Sequence, residues 1–326
     1  MRLGLTVGLT GGSPDADEDV VRAAEHAGFD TISVGEAGLD TFAAATAVAL
    51  WSRHVRVYSG IATWVRPPVL TALSAATVDR FARGRYTLGL GTMPAAWNRD
   101  FYGIDAARSL HRMGEYVAVV RGSLRAHSGA ALDYDGRFFQ VRGYRRPVPP
   151  ERDDLPLHLA ATRPGMARLA GEVADGVLFN LLHTTEWIRD VLGPAVDAAG
   201  RRVERGVMVR CAVGERTEAL AMLRASLRTY LRVPYFYDVA EACGYDLAVT
   251  RQHVAAGDDA AALEAVPDEL LTAMGLAGSP HDCVAQLARY ADLVDWVLLA
   301  PPGVLAGDAL HRQSLEIVGT FGGVRP

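Results

Sequence analysis

Eight short apolar runs, each followed by a stretch with helical spacing, leave this chain few folds to choose from. The runs are Leu3–Leu9, Asp30–Val34, Val55–Ile61, Tyr86–Leu90, Leu157–Ala160, Gly176–Phe179, Gly206–Val213 and Trp296–Ala300. After the first, Ser13-Pro14-Asp15 reads as an N-cap, a first-turn proline and a helix-favouring acid, with Gly28 as the stop. Thr41–Trp51, a segment opened by Pro67-Pro68, Leu110–Ala126, a segment from Pro164, Trp187–Ala199 and Glu215–Tyr230 repeat the helical pattern. Strands that are apolar along their whole length are buried on both faces, as in parallel sheets covered by helices. Eight such units predict an α/β fold, a closed (β/α)8 TIM barrel, with an open doubly wound sheet as the alternative.

Two segments break the rhythm. In residues 131–142, Asp135-Gly136 stands between apolar runs and signals a hairpin. Residues 231–279 read as a long, mostly helical insertion. Both fall in βα loops, the face on which a barrel keeps its chemistry. The whole of residues 1–326 therefore reads as one domain, although length alone would suggest two.

Composition narrows the function classes. A net charge of −5 argues against nucleic acid or an anionic membrane as the main partner and leaves a small-molecule substrate. All 33 cations are arginine, so Schiff-base chemistry on lysine and a P-loop lysine are excluded. Cys211, Cys243 and Cys283 lie far apart with no metal-ligand spacing, so no metal site is expected and reduced thiols are. The first residues enter a strand at once and no run is long enough to span a bilayer; a cytoplasmic protein is expected.

The chemistry-bearing residues are few. Gly8–Gly12 and Gly89–Pro94 both lack the spacing of a dinucleotide fingerprint. Ala161-Thr162-Arg163-Pro164-Gly165 joins a strand to a helix start, where free amides, the helix dipole and a guanidinium suit a phosphate. An ordinary strand–helix turn fits the same residues. Glu36 follows the second strand, placed either to exchange a proton or to serve as a loop acid. His111 and His183 lie near strand ends and read as structural. Trp64, Trp97, Tyr235 and Phe236 are candidates for an apolar substrate pocket; insertion core or a dimer interface would use the same side chains.

Four segments together resemble the bacterial luciferase-like flavin and deazaflavin oxidoreductases: Ala24–Asp30, Arg80–Gly91, Leu169–Gly176 and Gly278–Cys283. The resemblance implies a (β/α)8 barrel, usually dimeric, with a flavin or deazaflavin across its C-terminal mouth. Val34-Gly35-Glu36-Ala37 and Asp40-Thr41-Phe42 are most similar to the branch that uses coenzyme F420. Carried over residue by residue, Gly60-Ile61 matches the family's non-prolyl cis bond and Gly91 and Thr92 border the cofactor. By the same resemblance, Ala161 to Gly165 hold its phosphate, Asn180 lies near its ring or ribityl side, and Glu36 is the acidic catalytic residue. Ala37 replaces a neighbouring histidine, and Thr162-Arg163 stands where a glycine is common. The implied reaction is hydride transfer between reduced coenzyme F420 and an imine, activated alkene or alcohol. An FMN-dependent monooxygenase using oxygen and a non-catalytic flavin-binding homologue are the alternatives.

Overall fold

The computed structural model describes residues 1–8, 13–36, 38–127, 129 and 131–324. Leu9, at the end of the first expected strand, Thr10, Gly11 and Gly12 of the first glycine-rich turn, and Ala37 lie outside the described residues. The strands are β1 (Arg2–Thr6), β2 (Thr31–Val34), β3 (Arg56–Ser59), β4 (Ala62–Thr63), β5 (Tyr86–Gly91), β6 (Leu132–Asp135), β7 (Gln140–Tyr144), β8 (Leu157–Ala161), β9 (Gly176–Phe179), β10 (Glu204–Val213), β11 (Gly275–Gly278) and β12 (Trp296–Ala300). The order β10-β12-β1-β2-β3-β5-β8-β9 closes because β9 pairs again with β10. The fold is therefore a closed parallel (β/α)8 barrel, and the open-sheet alternative is set aside. The expected run Val55–Ile61 is divided in two. β3 stops at Ser59, the Gly60–Ile61 peptide is cis, and β4 then pairs with β5 as Ala62↔Leu90 and Thr63↔Gly91.

The chain separates into two compact units. One comprises residues 31–178 and 195–204. Its strands run in parallel register, Thr31↔Arg56 on β2–β3, Val57↔Tyr86 on β3–β5 and Leu88↔Leu157 on β5–β8. Asp40 accepts from the amides of Phe42 and Ala43 and so caps the helix Thr41–Trp51. The helices Pro68–Phe81 and Pro164–Val173 each begin at a proline, where the missing N–H costs no intrahelical bond. The β6–β7 hairpin is tied down by Glu115 of the helix Ser109–Arg125, whose carboxylate accepts from the amides of Arg137, Phe138 and Phe139 at 2.8–3.2 Å. Below the mouth, at the strand N-termini, Arg56 donates to both oxygens of Glu204 at 2.9 and 3.0 Å, and His158 Nε2 lies 3.3 Å from the same carboxylate.

The other unit comprises residues 1–30, 179–194 and 205–326. There β1 pairs with β12 from Arg2↔Trp296, and β10 pairs with β12 from Gly206↔Trp296. Helices Pro234–Ala242, Ala248–Ala255, Asp259–Glu264 and Asp268–Met274 occupy much of residues 231–279 and pack Leu231, Phe236, Leu247, Leu263 and Leu270 into one apolar cluster. β11 closes that segment by pairing with the second half of β10, Arg210↔Gly275 to Val213↔Gly278. Its sequence, Gly-Leu-Ala-Gly, has little strand signature. Packing explains it: a Cβ at Gly275 would stand 2.8 Å from Leu223 Cδ1 and 3.1 Å from Arg210 O. Cys211 and Cys283 are buried free thiols, and Cys243 is free as well. No helix among the described residues is long and apolar enough to cross a membrane.

Candidate active site

The C-terminal ends of β2, β3, β5 and β8 bring together Glu36, Gly60, Ile61, Trp64, Gly91 and the turn after Ala161. A Cβ on Gly60 would stand 2.3 Å from Ser33 Oγ, one on Gly89 2.1 Å from Ser59 O, and one on Gly91 1.9 Å from Ile61 Cδ1. Glycine at these positions is therefore what lets Ser33, the Ser59 carbonyl and the Ile61 side chain pack against β3 and β5. The hydroxyls of Ser33 and Thr63 are buried here without a hydrogen-bond partner among the described residues. Buried hydroxyls are ordinarily satisfied, and these two, on β2 and β4, are exceptions.

Glu36 is held from two sides. Its Oε2 accepts from the amide of Thr63 at 2.7 Å, and its Oε1 meets Arg66 at 2.7 Å. Arg66 also pairs with Asp40 and lies over the Phe42 ring at 5.3 Å. Burial pushes the Asp40 carboxyl up, but the amides of Ala43 and Phe42 and the Arg66 guanidinium outweigh it and hold the group below its ordinary value. The peptide carbonyl of Arg66 accepts from Tyr116 at 3.0 Å, which fixes the backbone that carries the guanidinium.

Trp64 is 1% exposed and forms a wall, not an open surface. Its indole N–H donates to Asn98 Oδ1 at 2.8 Å, and Asn98 Nδ2 donates to the carbonyls of Thr92 at 2.6 Å and Pro94 at 3.1 Å. Asn98 therefore ties the loop after β5 to the segment after β4. Met93 in that loop has φ 57°, a left-handed conformation that a non-glycine side chain adopts at a cost. Arg112 stacks over Trp64 at 5.0 Å and over Phe139 of the hairpin region at 5.7 Å. Trp97 is half-buried on the helix Ala95–Tyr102 and packs on Phe101.

The turn Ala161–Gly165 starts beside this surface, because a Cβ on Gly91 would lie 3.4 Å from Ala160 Cβ. Arg163 is extended at the N-cap with φ −120°, and no side chain caps the helix Pro164–Val173. Arg163, Pro164 and Gly165 are exposed while Ala161 is buried. An uncapped, exposed helix start offers its amides to an anion.

Asn180, Tyr235 and Phe236 belong to the other unit. Asn180 is occupied by its own turn: its N–H donates to His183 Nδ1 and its Oδ1 accepts from Leu182 N, each at 3.0 Å. His183, accepting at Nδ1, therefore presents Nε2–H to the Tyr235 hydroxyl. Phe236 is fully buried in the helical cluster, the insertion core that was the other reading of this side chain. Tyr235, 7% exposed, belongs to the same cluster. His111 is exposed. The sequence reading missed Arg66, Asn98, Thr63 and Ser33. Arg66 had a signal, standing directly before Pro67-Pro68 and three residues after Thr63, and Asn98 had none.

A cleft of about 450 Å³ is lined by Glu186, Arg216, Glu269, Thr272, Gln286 and Arg289 among others, and none of the candidate residues contributes to it.

Comparison with known proteins bears on this arrangement. The family model described as luciferase-like monooxygenase matches residues 3–295. The chain is 27% identical over 312 residues to a 5,10-methylenetetrahydromethanopterin reductase of Methanolobus tindarius, covering 91% of this chain and 94% of the relative. It is 29% identical over 322 residues to a Mycobacterium tuberculosis protein named provisionally as a coenzyme F420-dependent oxidoreductase, covering 89% and 92%. Among solved structures, the coenzyme F420-dependent tetrahydromethanopterin reductase of Methanopyrus kandleri superposes with TM-score 0.82 at 20% identity, over 98% and 97% of the two chains, a likeness of fold.

Proposed function

The chain belongs to the luciferase-like monooxygenase family, an oxidoreductase by that kinship, and on that footing we propose that it moves a hydride between coenzyme F420 and a small, partly apolar organic substrate. The substrate class is an imine or activated alkene in reduction, or an alcohol in oxidation. The observation that carries the reading is Glu36, a carboxylate fixed by Arg66 and Thr63 at the end of β2. The relative's reductase activity and the F420-dependent names among the similar proteins support it.

The residues present fit such a cofactor. The flat Gly60–Ile61 and Gly91 surface suits a planar ring, the orphan hydroxyls of Ser33 and Thr63 suit its polar edge, and the uncapped turn Thr162–Gly165 suits a phosphate. Thr92 borders the same surface. When bound, the deazaflavin supplies or accepts the hydride; the protein orients, excludes water and handles the proton. Oε2 of Glu36 keeps a second lone pair after accepting from Thr63, and that atom exchanges the proton with the substrate, directly or through one water. Arg66 keeps the carboxylate from swinging away, and Asp40 neutralises the remainder of the guanidinium charge. Trp64, with Arg112 over it, closes the side of the surface to water.

Titration with the deazaflavin and with FMN, followed by single-turnover kinetics of Glu36→Gln, tests the reading. Expected are deazaflavin binding retained in the variant and a turnover loss of about 10²-fold or more. Binding of FMN alone, or unchanged turnover, refutes it.

We also propose a homodimer. Leu70, Leu73 and Phe81 are exposed at i, i+3 and i+11 on the helix Pro68–Phe81, beside Leu50 of the packed helix Thr41–Trp51. An apolar stripe across two helices is the kind of surface a second copy covers.

A further inference from the structure

Two carboxylates share one nitrogen of Arg66. Its Nη2 meets Oε1 of Glu36 at 2.7 Å and also Oδ2 of Asp40. The Glu36 side chain is 10% exposed and that of Asp40 50%, so the guanidinium stands between an inner and an outer acid. A small outward displacement gives it to Asp40 at the expense of Glu36. What holds the Arg66 backbone therefore decides how firmly Glu36 is held.

The peptide that carries this guanidinium has a single polar handle. Pro67 follows Arg66; it has no N–H to donate, and it confines Arg66 to extended backbone. Only the Arg66 carbonyl is left to be tethered, and Tyr116 donates to it at 3.0 Å. That bond uses the one phenolic proton. Thr71 Oγ1, 2.5 Å from the same phenol oxygen, is therefore the donor in its pair with Tyr116. The bonds thus run in one direction, from Thr71 on the helix Pro68–Phe81, through Tyr116 on the helix Ser109–Arg125, to the Arg66 carbonyl. Thr71 and Tyr116 are both fully buried, out of reach of competing water. Burial also raises the Tyr116 phenol above its ordinary value, so it keeps the proton it donates. The Tyr116 ring is fixed as well, edge-on to Phe139 at 5.6 Å, and the N–H of Phe139 donates to Glu115 at 3.2 Å.

We propose that Tyr116, supported by Thr71, is a positioning residue for Glu36: by tethering the Arg66 peptide it keeps the shared guanidinium on the inner carboxylate. The kinetic consequence rests on the hydride-transfer reading, whereas the tethering of Arg66 does not. The test therefore has two arms. Arginine side-chain nitrogen NMR of the cofactor-free, full-length protein, with the Arg66 signal assigned by its absence in R66Q, measures exchange of the guanidinium protons with water. Y116F keeps the ring and removes the donor; it is expected to speed that exchange about ten-fold, the size of one lost hydrogen bond, while Arg56, paired with Glu204, keeps its wild-type rate. Thr71→Val, which keeps the shape of the side chain, is expected to give a smaller increase in the same direction. In the deazaflavin-loaded protein, Y116F is expected to slow single turnover about ten-fold with deazaflavin affinity unchanged, and E36Q/Y116F to be no slower than E36Q. Unchanged Arg66 exchange in both variants, or equal acceleration at Arg56, overturns the positioning whatever the reaction. A slowing by Y116F that persists in full on the E36Q background overturns its action through Glu36. Wild-type turnover in E36Q refutes the role of Glu36 and with it the kinetic half of the inference, and the Arg66 exchange separates that failure from failure of the tether.

Discussion

Asn98 is the side chain through which stability and the candidate site are coupled, and replacing it gives a graded test. Asn98→Ala strands the indole N–H of a tryptophan that is 1% exposed and removes the donor from Thr92 O. An unmatched buried donor costs about 1–3 kcal/mol, and Thr92 O, being half-buried, regains part of its bond from water. The expected loss is about 2–4 kcal/mol. At about 2 °C per kcal/mol for a chain of this size, the melting temperature falls by about 4–8 °C. Asn98→Asp separates the two halves of the clip. It keeps an acceptor for Trp64 but turns an oxygen toward Thr92 O and Pro94 O, where only a donor is tolerated. The introduced carboxyl gains a partner only when protonated, so its folded pKa is raised above the ordinary Asp value of about 3.9. Stability relative to wild type is therefore recovered as the pH falls through that raised value and lost above it. Thermal melts of the three proteins between about pH 8 and pH 5, taken as differences from wild type at each pH, read this directly. A loss under about 0.5 kcal/mol in Asn98→Ala, or an Asp deficit that stays constant with pH, would show that the Trp64–Asn98–Thr92 chain carries no energy.

Other perturbations reach different parts of the molecule. Gly91→Ala places a methyl 1.9 Å from Ile61 Cδ1, so a destabilisation of about 1–3 kcal/mol with loss of deazaflavin affinity is expected, read by denaturant melts and titration. Burial raises the Glu204 carboxyl, but hydrogen bonds from His158 and Arg56 outweigh it and draw it down from 4.5 to about 2. That contribution is full above pH 4.5 and is lost as the pH falls toward 2; Glu204→Gln should flatten the acid limb of the stability profile over that window. Burial lowers His158 from 6.5, so its neutral ring adds a stability component present above pH 6.5 and declining below it, which proton uptake on acid unfolding would detect. Phe81→Glu puts a charge in the exposed stripe, and sedimentation should show a monomer whose melting temperature no longer depends on protein concentration; a monomeric wild type would defeat the dimer reading.

The barrel was legible because its signals are local. Eight apolar runs, Ser13 as a cap, and prolines at helix starts each act within a few residues, and Ser13 indeed accepts from Ala16 N. The limits of β3 were less so, because the strand stops at Ser59 and the cis Gly60–Ile61 peptide follows within the run Val55–Ile61. β11 escaped because two glycines give it no side-chain alternation; the closeness of Leu223 and the edge of β10 make it a strand. Around Glu36 the sequence supplied the carboxylate but not what holds it. Thr63 and Arg66 lie 27 and 30 positions along the chain from Glu36, and Asn98 lies 34 from Trp64, distances at which no periodicity speaks. For the aromatic residues the sequence left pocket and insertion core open, and Phe236 packs in the insertion; composition cannot tell a wall from a core.

The glycine-lined surface between β3 and β5 has an evolutionary corollary. Point substitution has almost nothing to vary there: at Gly60, Gly89 and Gly91 even the smallest side chain would collide with Ser33, Ser59 or Ile61. Variation in a chain built this way is left to more exposed segments, such as Ala95–Tyr102 and the β6–β7 hairpin.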